Sequence, residues 1–171
     1  MTQSPAQALS DLPVADFRSL MARFPTGVAV VTTTGDDGSP RGMTVSSVCS
    51  VTLSPPTLLV CLRTGSPTLE AILDRSTFTV NFLHGRAQTV AELFASGAPD
   101  RFDLIPWEMP PAAGGPHLHE DAHSTADCRV SRTEHVGDHV VVFGEVFAVS
   151  ERHEHGPLVY GLREYHSWPG R

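Results

Sequence analysis

From Arg41 to Pro56 the polar positions of the chain carry small hydroxyls instead of charges: Thr44, Ser46, Ser47, Ser50, Thr52 and Ser54 are interleaved with apolar residues. Hydroxyls and neighbouring backbone N–H groups donate hydrogen bonds at close range without bulk. Such a surface suits a planar, carbonyl-rich heterocycle or a phosphate better than a hydrophobic core. In a regular strand Ser46 and Ser47 point to opposite faces, so only one of them is expected to touch a bound ring. The competing reading is a set of hydroxyls that simply lines an edge strand. Farther along, Arg63, Ser66 and Thr68 stand at the start of a helical pattern, where helix N–H groups, a guanidinium and a hydroxyl make a natural phosphate site. Ser66 serves equally well as a plain helix cap. Gly137-Asp138-His139 falls at a tight turn between two apolar runs. An imidazole there can donate to a ligand, or it can be a turn residue bonded to Asp138.

A second constellation points to different chemistry. His119-Glu120-Asp121-Ala122-His123 matches HExxH, in which two His one helical turn apart bind zinc beside a catalytic Glu. It follows Ala112-Ala113-Gly114-Gly115-Pro116 and precedes a strand-like run, which leaves little room for the helix that the motif requires. The third His of the extended motif would fall at Arg129. A chain with nine His reaches such a match easily by chance. His117, His119 and His123, and the pair His153 and His155, are read as solvated loop residues, and no metal is assigned.

Short strands must position these groups. Phe17, Leu20, Met21 and Phe24 mark one face of a helix stopped by Pro25. From Gly27 the pattern turns β-branched, and Gly35-Asp36-Asp37-Gly38-Ser39-Pro40 is a turn signal, so residues 43–51 are expected to return as the second strand of a hairpin. Residues 57–62 read as a third strand and residues 77–83 as a fourth. A short helix opens at Ser66-Pro67 and another spans residues 86–95. Residues 97–121 are irregular. Two long strands over 124–135 and 139–151 and a last strand over 157–162 precede a Tyr165-His166-Ser167-Trp168 tail.

Many short strands, few helices and no βαβ alternation predict a mainly β, antiparallel barrel. No GxGxxG is present, so a Rossmann domain is excluded. Residues 1–10 read as a mobile tail and 11–171 as one domain. With 40% hydrophobic and 18% charged residues the chain is globular, and its net charge of −7 opposes a nucleic-acid-binding role. Apolar runs are strand-sized, which opposes a membrane helix. No secretory leader is visible, and Cys49, Cys61 and Cys128 form no CxxC pair. They read as buried small hydrophobes in a reducing cytoplasm.

The order and spacing of several segments resemble the flavin reductase family, the small partners of two-component flavin monooxygenases. Phe24-Pro25-Thr26-Gly27-Val28 resembles that family's entry into its first strand, and Arg41 to Pro56 its flavin-binding strand and loop. Gly137-Asp138-His139 with the following Val140 to Val146 resembles its nicotinamide-side motif, and Pro157 to Tyr160, with Tyr165 beyond, its closing strand. The resemblance covers Phe17 to His166. It implies an FMN-binding split β-barrel, a six-stranded antiparallel Greek key with a few short helices, working as a cytoplasmic homodimer. The implied reaction is hydride transfer from NADH or NADPH to FMN or FAD, with reduced flavin diffusing to a monooxygenase. His139 is the implied catalytic residue. The implied cofactor-binding positions are Thr26, Gly27, Met43, Thr44, Val45, Ser46 and Ser47, then Cys61, Leu62, Arg63, Ser66 and Thr68. Arg101, Phe102, Gly137, Asp138, His139, Tyr160 and Tyr165 complete the set. A flavin- or haem-binding module without turnover is the alternative.

Overall fold

The computed structural model describes residues 13–152 and 155–169, so the expected tail over 1–10 and His153 lie outside the described residues. The chain is mainly β, as its patterning predicts. Helix α1 (Val14–Ala22) leads into β1 (Thr26–Gly27), β2 (Ala29–Thr34), β3 (Pro40–Val45), β4 (Val48–Leu53) and β5 (Pro56–Arg63). Helix α2 (Pro67–Arg75), β6 (Thr77–Leu83) and α3 (Gln88–Ser96) follow. After a long irregular stretch come β7 (Ala122–Val136), β8 (His139–Glu151), β9 (Leu158–Gly161) and β10 (Glu164–Ser167).

Seven strands make one antiparallel sheet in the order β3-β2-β6-β7-β8-β5-β4, and β1-β9-β10 make a second. The main sheet thus has one strand more than the six expected, and it does not close: β3 and β4 are its two unpaired edges. The expected single strand over 43–51 is the reason for the difference. It breaks at Ser46-Ser47, and its halves pair with β2 on one side and β5 on the other. One short stretch of chain therefore crosses from one edge of the sheet to the other. The expected tail at Tyr165–Trp168 is also structured, because Tyr165 and His166 pair with Tyr160 and Val159 of β9.

Alternation along β2 explains why the sheet is covered on both faces. Ala29 and Val31 join a core with Val60, Leu62, Phe78, Val80, Val140 and Ile72 of α2. Val28 and Val30 point the other way, into a second core with Val90 and Phe94 of α3, Phe102, Leu118 and Leu158. On α3, Ala91 and Phe94 are fully buried, while Leu93 is only half-buried.

The stretch over 97–121 was expected to be irregular, and it is, but it is firmly held. Buried Asn81 donates to Val30 O and Pro116 O and accepts from the Leu118 N–H. Gly114 and Gly115 cross directly over β6 and β2, where a Cβ on either would sit 2.4 Å from a backbone oxygen, Phe78 O or Thr32 O. The Gly-Gly pair is what lets this strap lie on the sheet.

Candidate active site

A cleft of about 730 Å³ opens where the C-terminal half of α1, the β3–β4 connection, β4, β5 and the β9–β10 turn meet. Its floor is the outward face of β5. Leu58, Val60 and Leu62 alternate into the core, which turns Leu59 and Cys61 outward into the cleft. Ser46, Ser47 and Cys49 form one wall, and Thr26 and Tyr160 another. Tyr165 packs its ring on Tyr160 at 4.8 Å between centroids, and burial pushes its phenol pKa up. Burial likewise raises the Cys61 thiol.

The two serines are not equivalent, and the break in the strand is the cause. Ser47 Oγ donates to Cys61 O at 3.0 Å and accepts from Cys61 N–H at 3.2 Å. It takes the place of a β-ladder partner where the backbone leaves the sheet. Ser46 is exposed to the cleft. Thr44 is also committed, donating to Ala91 O at 2.6 Å and so fixing β3 to α3. Val45 and Leu62 send their side chains into the core, which leaves only their backbone groups available to a ligand. Gly27 lies outside this cleft, in a neighbouring apolar groove of about 380 Å³ beside Val48, Leu58 and Phe82.

A second cavity of about 510 Å³ lies at the other end of the same segment, lined by Arg41, Met43, Ser66, Thr68, Arg101 and Phe102 among others. Ser66 precedes α2 but makes no side-chain cap bond; its hydroxyl is 3.4 Å from Met43 Sδ. The plain-cap reading of Ser66 is therefore not what the fold uses. Thr68 is buried in the first turn. Arg101 is held by Nε donating to Gly42 O at 3.0 Å, and its pKa is lowered by burial and by the charge of Arg41. Arg41, whose Nη2 is paired with Asp37 at 3.1 Å, and Arg101 thus put two guanidiniums on the wall of this cavity, where an anion can be met. From Met43 in this cavity to Ser46 in the first is three strand residues, roughly 10 Å.

Arg63 does not line either cavity. It pairs across the ladder with His139, beyond Cys61 opposite Val141. The Gly137 φ of +59° permits the tight β7–β8 turn, and Thr64 N–H donates to Asp138 O at 2.9 Å. Asp138 Oδ1 lies 2.8 Å from His139 Nδ1, so this ring nitrogen carries the hydrogen and Nε2 is the atom left for a ligand. The hydrogen bond and charge of His139 hold the Asp138 carboxyl below its usual range. The fold thus joins Gly137, Asp138, His139 and Arg63 at one corner, next to the loop that carries Ser66.

The HExxH segment forms no helix: residues 119–121 turn and residues 122–123 enter β7. The histidines cannot share a helical face, and the zinc hydrolase reading falls. His117 is not a solvated loop residue either, because it is buried against Asp127, with Nε2 at 3.0 and 3.1 Å from the two carboxylate oxygens. Of the three cysteines only Cys128 is buried; Cys49 is exposed and Cys61 half-exposed in the cleft. Sequence reasoning assigned no role to Arg18 or Arg163, which also line the cleft. Arg18 lies just outside the apolar set Phe17, Leu20, Met21 and Phe24, and Arg163 falls between the expected last strand over 157–162 and the expected tail at Tyr165–Trp168.

The family model described as flavin reductase like domain matches residues 21–169. The chain belongs to this family. Among its relatives is a flavin reductase (NADPH) of Lentzea aerocolonigenes, 49% identical over 154 residues that cover 90% of this chain and 89% of that protein. Two solved structures share the fold. One is the NADH:FAD oxidoreductase SgcE6 of Streptomyces globisporus C-1027 in complex with NAD and FAD fragments, 28% identical, covering 99% of this chain and 97% of that one, with a TM-score of 0.84. The other is the styrene monooxygenase flavin reductase of Pseudomonas putida S12, 30% identical, covering 91% and 99%, with a TM-score of 0.82. The match covers β1–β10 and the lining of both cavities apart from Arg18.

Proposed function

We propose that the protein is an NAD(P)H:flavin oxidoreductase that reduces FMN or FAD and releases the reduced flavin to a separate monooxygenase. The observation that carries this reading is the pair of cavities at the two ends of Met43–Ser47 in a chain of the flavin reductase family. A cleft with an exposed hydroxyl, backbone amides at a strand break and an apolar floor fits a flat, carbonyl-rich ring. The cavity with Arg41, Ser66 and Arg101 fits the phosphate at the end of the ribityl chain. This assignment moves the phosphate site from Arg63 to Arg101 and Arg41.

The flavin, when bound, supplies the redox chemistry by accepting the hydride. The chain's own residues bind, orient and release. Ser46 and the amides of the β3–β4 connection hold the ring edge, Leu59 and Cys61 support its face, and Tyr160 with Tyr165 closes one side. Ser47 acts through Cys61 by keeping the cleft floor in register. His139, oriented by Asp138, presents Nε2 to the nicotinamide amide or a flavin oxygen. Positioning is the main lever for hydride transfer, and no obligatory proton donor is assigned.

The styrene monooxygenase flavin reductase among the solved structures supports an oxygenase as the recipient. Exposed apolar side chains on β4 and β8, including Leu53, Phe147 and Val149, support a homodimer. Three unpaired cysteines and a nicotinamide donor support a cytoplasmic setting. No described helix is long and apolar enough to cross a membrane. Anaerobic oxidation of NADPH or NADH by the purified protein with added flavin tests the reaction, and light scattering in solution tests the dimer.

A further inference from the structure

The cleft that holds Ser46 and Cys61 is lined by two cations, Arg18 and Arg163, and by no carboxylate, in a chain of net charge −7. Among the described residues neither guanidinium has an acidic partner. The two come from elements fixed to each other. Leu162 N–H in the β9–β10 turn donates to Ala22 O at 2.5 Å, and Ala22 follows Arg18 by four residues on the same face of α1. The turn itself is costly to form: Leu162 and Arg163 both have left-handed backbones, φ +54° and +65°, where glycine would be strain-free. Retaining a long cationic side chain at such a position points to a use for the side chain.

In the function proposed above the flavin phosphate is met in the other cavity by Arg101, with Arg41, itself paired to Asp37, beside it. The cleft pair is therefore left for the phosphates of a second molecule entering the same cleft. We infer that Arg18 and Arg163 form a clamp for the phosphate groups of the nicotinamide dinucleotide donor. This rests on the flavin reductase reading above. The clamp accounts for a problem that the absence of a Rossmann fingerprint creates, since no glycine-rich loop is available to hold the dinucleotide. Two guanidiniums on one wall do so with charge-assisted hydrogen bonds, and the nicotinamide end reaches the flavin ring beside Ser46.

The test is steady-state oxidation of NADPH, NADH and reduced nicotinamide mononucleotide by the wild type, Arg18→Ala, Arg163→Gly and the double variant, with FMN and with riboflavin as acceptors. Each single change is expected to raise KM for NADPH about ten-fold or more, the loss of one charge-assisted contact, with a smaller change in kcat. The rise persists with riboflavin, which has no phosphate, and shrinks for the mononucleotide, which lacks the adenylate half. An equal rise for NADH and NADPH locates the contact at the pyrophosphate, and a larger one for NADPH at the 2′-phosphate. Arg163→Gly relieves a left-handed residue, so Tm holds or rises while KM worsens, a combination that a purely structural role does not give. Unchanged KM in both single variants overturns the clamp, as does an effect that vanishes with riboflavin, which would put the flavin phosphate there. Wild-type protein that oxidises no donor with any flavin overturns the flavin reductase reading itself, before any variant is made.

Discussion

Two adjacent serines that look alike in sequence are expected to fail in different ways. Ser47 Oγ makes two hydrogen bonds to the backbone of Cys61, at 3.0 and 3.2 Å, in a half-buried position under the cleft. Ser47→Ala removes both and leaves a backbone N–H and C=O short of a partner where β4 and β5 begin to pair. At about 0.5–1.5 kcal/mol net for each bond, the loss is about 1–3 kcal/mol. In a chain of this length that lowers Tm by roughly 2–4 °C for each kcal/mol. Ser46 is exposed in the cleft, so Ser46→Ala is expected to leave stability within about 0.5 kcal/mol. It should instead weaken flavin binding by about two- to ten-fold, the worth of one neutral hydrogen bond. Urea unfolding of the flavin-free protein at fixed concentration gives the first quantity, and quenching of flavin fluorescence on titration gives the second. Ser47→Ala with wild-type stability, or Ser46→Ala as destabilising as Ser47→Ala, refutes the division of labour at the strand break.

Three further expectations follow from the same geometry. His139→Ala should lower flavin reduction several-fold while flavin affinity changes little, because His139 lines neither cavity and its ring is oriented by Asp138; unchanged steady-state NADPH and NADH oxidation removes His139 from the site. Ser66→Ala and Arg101→Ala should weaken FMN more than riboflavin, and equal losses for both in calorimetric titrations would empty the proposed phosphate cavity. Asp127 accepts from Thr79, Gly114 N–H and His117; burial by itself would raise its pKa, yet these donors outweigh burial and the folded value is lowered. Its contribution is therefore fully present above the unfolded carboxylate pKa of about 4 and is lost as pH falls through the lower folded value. Asp127→Ala should cost about 3–5 kcal/mol at neutral pH and flatten the acid limb of stability against pH, and an unchanged acid limb in urea titrations would show that Asp127 does not carry it.

Local chemistry made much of this architecture legible. The turn at Gly35–Pro40, the alternation of residues 77–83 and the Gly137-Asp138 turn each encode their element in a few neighbouring residues. The break at Ser46-Ser47 was not legible, because it depends on a contact with Cys61, fourteen residues away across a ladder. The same limit explains Ser66, whose cap-like position hides a hydroxyl that faces Met43 on β3. His117 read as a solvated loop residue because nothing near it in sequence announces that it is buried against Asp127 beneath the Gly114-Gly115 strap. Arg163 was missed for a similar reason, since its value lies in a turn anchored to Ala22 on the first helix. Pairings between distant segments, and the buried polar groups that serve them, are what a local pattern does not carry.

The most direct measurement is anaerobic mixing of the metal-free protein with NADPH or NADH and with FMN, FAD or no flavin, followed through the visible absorbance of the oxidised flavin. Flavin-dependent oxidation of the donor with catalytic loss of that absorbance is the result expected, and the pairing that turns over fastest names both cofactors. Flavin that binds but keeps its absorbance with either donor would contradict the reductase reading and leave a binding module in its place.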